Sequence, residues 1–159
     1  MTPAIGFLEK NGIWHQVHAY EVDAVESTYG EAVAAALEVE PDRLFKTLIA
    51  RLKDGELIVA LVPVSRSLDL RLLARAANAK SADMAPAKDA ERATGYVTGG
   101  ISPFGQRRTM RAFADASITA LETVFVSAGR RGLQVEVRPV DLLRLLRITA
   151  VNLSSTDPS

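Results

Sequence analysis

This chain predicts an α+β fold with a mixed or antiparallel sheet, and three observations carry that prediction. Apolar, β-rich runs come in hairpin-spaced pairs, short helical segments fall between them at uneven intervals, and a regular strand-helix alternation is missing. The 159 residues suffice for one domain that buries roughly two-thirds of the surface of its unfolded chain. Hydrophobic residues at 48% and charged residues at 24% fit a packed interior under a hydrated surface. With no repeat or interdomain linker in view, residues 1–153 are expected to form that single domain and residues 154–159 a frayed tail.

The elements follow in order. Residues 3–11 read as a helix: Thr2 can cap it, Pro3 suits its first turn, and Asn11-Gly12 ends it. In residues 13–21 large and β-branched side chains alternate with polar ones, a half-buried strand that puts His15 on one face and His18 and Tyr20 on the other. Thr28-Tyr29-Gly30-Glu31 has capping-box spacing ahead of a helix over 32–37, and Pro41-Asp42 makes a turn. Strands at 44–52 and 57–64 flank Lys53-Asp54-Gly55-Glu56, a hairpin connection. Ser67 is expected to cap a helix over 68–77, and a further helix runs from 86 to 93 and stops at Gly95. Four glycines and a proline between Gly95 and Gly105 dictate a shaped loop. Strands at 118–127 and 133–137 then surround the turn Ala128-Gly129-Arg130-Arg131-Gly132, and a helix over 140–146 is capped by Asp141 or its neighbour.

Charge and composition narrow the function. Lys plus Arg and Asp plus Glu both number 19, so no global field would hold the protein on a polyanion or an anionic membrane. Residues 101–147 nevertheless carry eight bases against four acids, so a basic face, if there is one, belongs to the second half. The lack of cysteine excludes disulfides, thiolate metal sites and a cysteine nucleophile. Together with a start that does not read as an export signal and no apolar run of about 20 residues, it points to the cytosol. His15 and His18 face opposite sides of a strand and cannot chelate together, and nothing local nominates a Ser-His-Asp set. Gly99-Gly100 lacks both the Walker spacing and the dinucleotide fingerprint. The pair serves either a tight turn or close main-chain approach to a small ligand. Lys46 stands among apolar neighbours near the start of a central strand; its ammonium either snorkels out or faces a pocket, where it would steady a carbonyl or an oxyanion.

Met1-Thr2-Pro3-Ala4, Phe45-Lys46-Thr47-Leu48, Thr94-Gly95-Tyr96 with Gly99-Gly100-Ile101-Ser102-Pro103, and Val126-Ser127-Ala128-Gly129 occur in that order. Over about residues 1–150 the chain closely resembles the YbaK-type Cys-tRNA(Pro) deacylases, of the superfamily that includes the editing insertion of bacterial prolyl-tRNA synthetase. The resemblance implies a mixed, barrel-like six-stranded sheet with surrounding helices. It also implies metal- and cofactor-independent removal of cysteine from mischarged tRNA, acting in trans. Lys46 matches the family's essential lysine, and the stretch Gly99, Gly100, Ile101, Ser102 and Pro103 matches the GxxxP loop that holds the aminoacyl-adenosine, with Gly99 fixing the amino group. Tyr20, Ser127 and Gly129 are expected to line the substrate pocket, while at Gln134 some relatives carry an acid. In the family's proposed mechanism the substrate's own thiol attacks its ester. Arg107, Arg108, Arg111, Arg130 and Arg131 either meet phosphates of the tRNA acceptor end or form a solvated surface, and weak RNA binding would fit recruitment through prolyl-tRNA synthetase. Two other readings stay open: a deacylase for Ala-tRNA(Pro) or another mischarged tRNA, and a non-catalytic module that binds RNA or a synthetase.

Overall fold

The longest pairing grows from the two apolar runs around the Lys53-Asp54-Gly55-Glu56 turn. They form strands β2 (Phe45–Leu52) and β3 (Leu57–Pro63), antiparallel, with Lys46 opposite Val62 and Arg51 opposite Leu57. The structure, a computed structural model, describes residues 1–22 and 29–155. Every residue of β3 is buried, which requires cover on both faces and fixes this strand at the centre of its sheet. Its other neighbour is β6 (Ala112–Asp115), in parallel, and β6 pairs in parallel with β9 (Thr149–Val151). On the far side of β2 lies β5 (Ala82–Met84), so the five-stranded mixed sheet runs β5-β2-β3-β6-β9.

A second sheet, antiparallel throughout, has the order β1-β8-β7, from β1 (His15–Ala19), β7 (Val124–Ser127) and β8 (Leu133–Val137). Phe45, Val59 and Leu61 of the first sheet pack with Val124, Val126, Val135 and Val137 of the second, along with Leu8 of helix α1 (Pro3–Lys10). On the opposite face of the first sheet Ile58, Ala60 and Val62 meet Leu73 and Ala74 of α3 (Leu70–Ala76). Helix α2 (Tyr29–Leu37) places Val33 and Ala34 on Leu44, Val64 and Phe125, where the two sheets touch through the Leu44–Phe125 bridge. Helix α4 (Ala87–Thr94) ends on Gly95 in the left-handed region, as expected.

The mixed sheet and the α+β class hold, with five helices among the described residues. The six-stranded barrel does not: the strands form sheets of five, three and two, and no closed barrel is found among the described residues. Several elements are also corrected. The helix expected over 68–77 starts at Leu70, because Asp69, with a carboxylate at cap distance from Arg71 N (2.9 Å) and Leu72 N (3.1 Å), is the cap. Ser67–Leu68 instead form β4, paired with β10 (Ser154–Ser155). Ser154, where fraying was expected to begin, is buried and donates its hydroxyl to Asp115 (2.8 Å). The expected strand over 118–127 is a 3-10 turn over Ala116–Ala120, capped by Asp115, and only then β7. Helix α5 (Pro139–Leu145) has Arg138 in the cap position with no side-chain cap bond, so Asp141 is not its cap. The cap expected at Thr28 lies outside the described residues.

Candidate active site

Main-chain groups on a strand point alternately to its two neighbours. Val64 N–H to Leu44 O and Leu52 N–H to Glu56 O show the even residues of β2 facing β3. Lys53 N–H to Ser81 O and Ala85 N–H to Ile49 O show the odd ones facing β5. β5 pairs only with residues 50–52, and the one bridge to β7 on this side is at Leu44, just ahead of β2. Between those partners Thr47 turns its main chain toward an edge that no ladder among the described residues covers, and a cavity of about 290 Å³ opens there. That volume is at the small end of ligand pockets, enough for an aminoacyl group and the start of a ribose.

The cavity is lined by Lys46, Thr47 and Leu48 of β2, Tyr29 at the start of α2, Ala87 and Ala90 of α4, Thr98, Gly99 and Ile101 of the loop, Ser127 of β7 and Gln134 of β8. Lys46 therefore faces a pocket instead of snorkelling away from one. Partial burial pulls its pKa below the ordinary lysine value, and the Glu31 carboxylate on α2 partly restores it. Among the described residues that line it, none is a carboxylate or an imidazole. Among the described residues two buried oxygens have no hydrogen-bond partner, Thr47 Oγ1 and Gln134 Oε1, and both belong to lining residues.

Two glycines set the loop in place. Gly99 has φ +94°, in the left-handed region, and a Cβ there would lie 3.2 Å from Arg131 Cδ and Nε. A Cβ on Gly100 would lie 2.6 Å from the Arg130 Cα, a main-chain collision that no rotamer relieves. The loop thus lies flush on the 128–132 turn and its Gly99 main chain is brought to the cavity that Lys46 also lines.

The other expected site residues divide. Ser127 lines the cavity, and its hydroxyl accepts the Gly129 N–H (3.2 Å). Gly129 itself packs toward Thr2 and Tyr96, Gly100 toward Arg130, and neither is a lining residue. Ser102 is buried within the loop, with Oγ accepting from Phe104 N (3.2 Å) and its carbonyl from Gln106 Nε2 (2.9 Å). Pro103 turns to a different cavity beside Phe7 and Val59. Tyr20 stands behind the wall: its hydroxyl lies 2.7 Å from that of Tyr29 and also bonds Gln134. Desolvation, then the hydrogen bond with Tyr29, raises its pKa. Tyr29, Thr47 and Gln134 are the lining residues whose importance sequence reasoning missed; a lone threonine or glutamine in a strand carries no chemical signal until its oxygen is found unpaired.

The five arginines do not form one face. Arg131 stacks on the Tyr29 ring, 4.3 Å from its centroid, at the rim, with Arg130 beside it, and Arg107 lies against Gly95. Arg108 borders the cavity of Pro103. Arg111 forms a two-pronged pair with Glu56 at the β2–β3 turn, six residues of chain or roughly 20 Å from the level of Lys46. Elsewhere His18 Nε2 meets Glu136 at 3.1 Å and His15 Nδ1 meets the Ile13 carbonyl at 2.7 Å, and no group of three or more His, Asp or Glu among the described residues is placed to hold a metal. No helix among the described residues is long and apolar enough to cross a membrane.

Residues 24–145 match the model of a family described as the aminoacyl-tRNA editing domain. The chain is 37% identical over 115 residues to an Enterococcus faecalis protein provisionally named a Cys-tRNA(Pro)/Cys-tRNA(Cys) deacylase, EbsC, a match covering 72% of this chain and 70% of that one. It is 30% identical over 116 residues to a proline–tRNA ligase of Desulforamulus reducens, covering 73% of this chain but only 20% of the ligase. Among solved structures, a protein provisionally described as a trans-editing enzyme for prolyl tRNA synthetase superposes with a TM-score of 0.84 at 22% identity, covering 96% of this chain and 95% of the other. That last likeness bears on fold alone.

Proposed function

This chain belongs to the aminoacyl-tRNA editing-domain family and is an aminoacyl-tRNA deacylase, and we propose that its substrate is Cys-tRNA(Pro), cleaved in trans with help from the substrate's own thiol. The observation that carries this reading is the cavity where partly desolvated Lys46 and Gly99 are both walls while no described lining residue is a carboxylate or an imidazole. Among the described residues the lining offers no side chain suited to activating water, and a nucleophile carried by the substrate itself fits that wall. The resemblance to the E. faecalis protein supports cysteine as the residue removed.

An aminoacyl ester is already activated, and positioning with charge stabilisation suffices to accelerate its loss. The thiol sulfur attacks the ester carbonyl, an S–C bond forms, and the C–O bond to the terminal ribose breaks. The thiol proton passes to the departing ribose oxygen, leaving a cyclic thiolactone that water later opens to cysteine. The Lys46 ammonium orients the substrate and steadies the negative charge of the tetrahedral stage, and the Gly99 main chain fixes the amino group. Serine or alanine can occupy the same space without reacting, which supplies discrimination where bulk alone gives too little. Arg130 and Arg131 at the rim meet acceptor-end phosphates, and a neutral chain with so few contacts depends on recruitment, with prolyl-tRNA synthetase as the partner.

Incubation of the protein with Cys-, Ala- and Pro-tRNA(Pro) tests the reading. Loss of the cysteinyl ester alone, with a thiolactone trapped by an added amine, is expected. Preferential loss of alanine overturns the substrate, and binding without turnover overturns the mechanism.

A further inference from the structure

The unpartnered oxygen of Gln134 is the feature this chemistry leaves unused. Gln134 lies on the central strand of the three-stranded sheet, held between His18 of β1 and Ser127 of β7, and is 6% exposed. Its carboxamide lies beside the Tyr20 hydroxyl, which shares a 2.7 Å hydrogen bond with that of Tyr29, and Arg131 covers the Tyr29 ring. Gln134 Oε1 is left buried without a donor in a residue of the cavity wall.

A buried acceptor with no donor is a standing penalty unless a ligand supplies one. A carboxamide oxygen can only accept, and the strongest donor for it is a charged one. The aminoacyl ester carries a single cationic group, its α-ammonium. We propose that Gln134 is a specificity-determining residue that accepts a hydrogen bond from the free α-ammonium of the substrate, with Tyr20 and Tyr29 as positioning residues. The consequence is a second filter, independent of side-chain identity: esters with an acylated nitrogen, such as peptidyl- or formyl-aminoacyl-tRNA, lose the charged donor and are rejected. This rests on the deacylase reading above and adds to the Gly99 contact a contact from the opposite wall.

Two ligands test it: 3′-cysteinylamino-3′-deoxyadenosine, whose amide resists cleavage, and its N-acetyl derivative, with dissociation constants measured by calorimetry. The wild-type protein is expected to prefer the free amine by about 10- to 100-fold, the size of one charged hydrogen bond. Gln134→Leu should erase that preference, and Gln134→Glu, which keeps an acceptor, should retain it; Tyr20→Phe should reduce it partway. Equal binding of the two ligands by the wild type overturns the proposal. So does a Gln134→Leu protein that keeps the preference, or a Gln134→Glu protein that loses it. Deacylation of Cys- and Ala-tRNA(Pro) by the same proteins is scored separately. Alanine turnover with a retained free-amine preference overturns the cysteine reading and supports Gln134, whereas cysteine turnover without the preference does the reverse.

Discussion

The two ends of β2 are built to opposite rules. At the hairpin end β5 covers the strand's edge, Arg51 pairs with Asp89, and Arg111 holds Glu56 through two bonds of 2.9 Å. Six residues back, the edge carries no ladder among the described residues, Lys46 lines a cavity, and the Thr47 hydroxyl has no partner. One strand thus carries a satisfied end that holds the sheet and an unsatisfied end whose open groups wait for a ligand. Buried polar groups without partners are rare in native proteins, so their concentration at one end marks where something else completes the structure.

Replacing Lys46 by alanine breaks the comparison most directly. Deacylation should fall about 100- to 1,000-fold, the loss typical of one transition-state donor, while the melting temperature changes little because the only interaction lost among the described residues is the weak attraction to Glu31. A fully active variant removes Lys46 from the reaction. At the rim, Arg131→Ala should weaken tRNA association and lower the slope of log affinity against log salt by about one, since one phosphate contact is lost. Arg111→Ala, at the far end, should leave that slope alone and destabilise the fold by at most about 1 kcal/mol, as an exposed pair does. Equal slopes for the two variants would show that the rim is no phosphate site.

The smallest effect lies in the pH profile. Burial lowers the Lys46 pKa and Glu31 raises it, so enzymatic rate, corrected for spontaneous hydrolysis, should fall as pH rises through a value below 10.5. Glu31→Gln removes the charge that holds the ammonium on and should move that limb to lower pH. The same shift has a stability consequence of definite sign. With the folded pKa below the unfolded one, the unfolded chain holds this proton more tightly, so Lys46 contributes added stability as pH climbs from its folded pKa toward 10.5. An alkaline limb that Glu31→Gln leaves in place would separate α2 from the site.

Much of the fold was legible before the coordinates. The β2–β3 hairpin, the Thr2 and Gly95 helix ends and strand β8 each rest on local chemistry that survives packing: a turn of the right composition, a cap, a clean alternation. What escaped notice had no such signature. β6 is four residues, Ala112–Asp115, with both faces buried and so no alternation to read. Ser67 and Asp69 both suit a helix cap, and only the pairing of Ser67 with Ser155 decides between them. In the site, Lys46 and Gly99 stood out because an ammonium in an apolar strand and a glycine pair in a loop are odd locally. Gln134 is ordinary until its buried oxygen is found without a partner.

The sequence by itself determined which residues carry charge, which runs pair as a hairpin and which family the chain resembles, because side-chain chemistry and period are written residue by residue. Only the tertiary structure decided that β2 loses one edge partner before it gains the next, that Arg111 is spent on Glu56 while Arg131 reaches the rim, and that two oxygens remain unpaired. These are relations between residues as far as a hundred positions apart, and no local pattern encodes which of a polar group's possible partners packing will bring within reach.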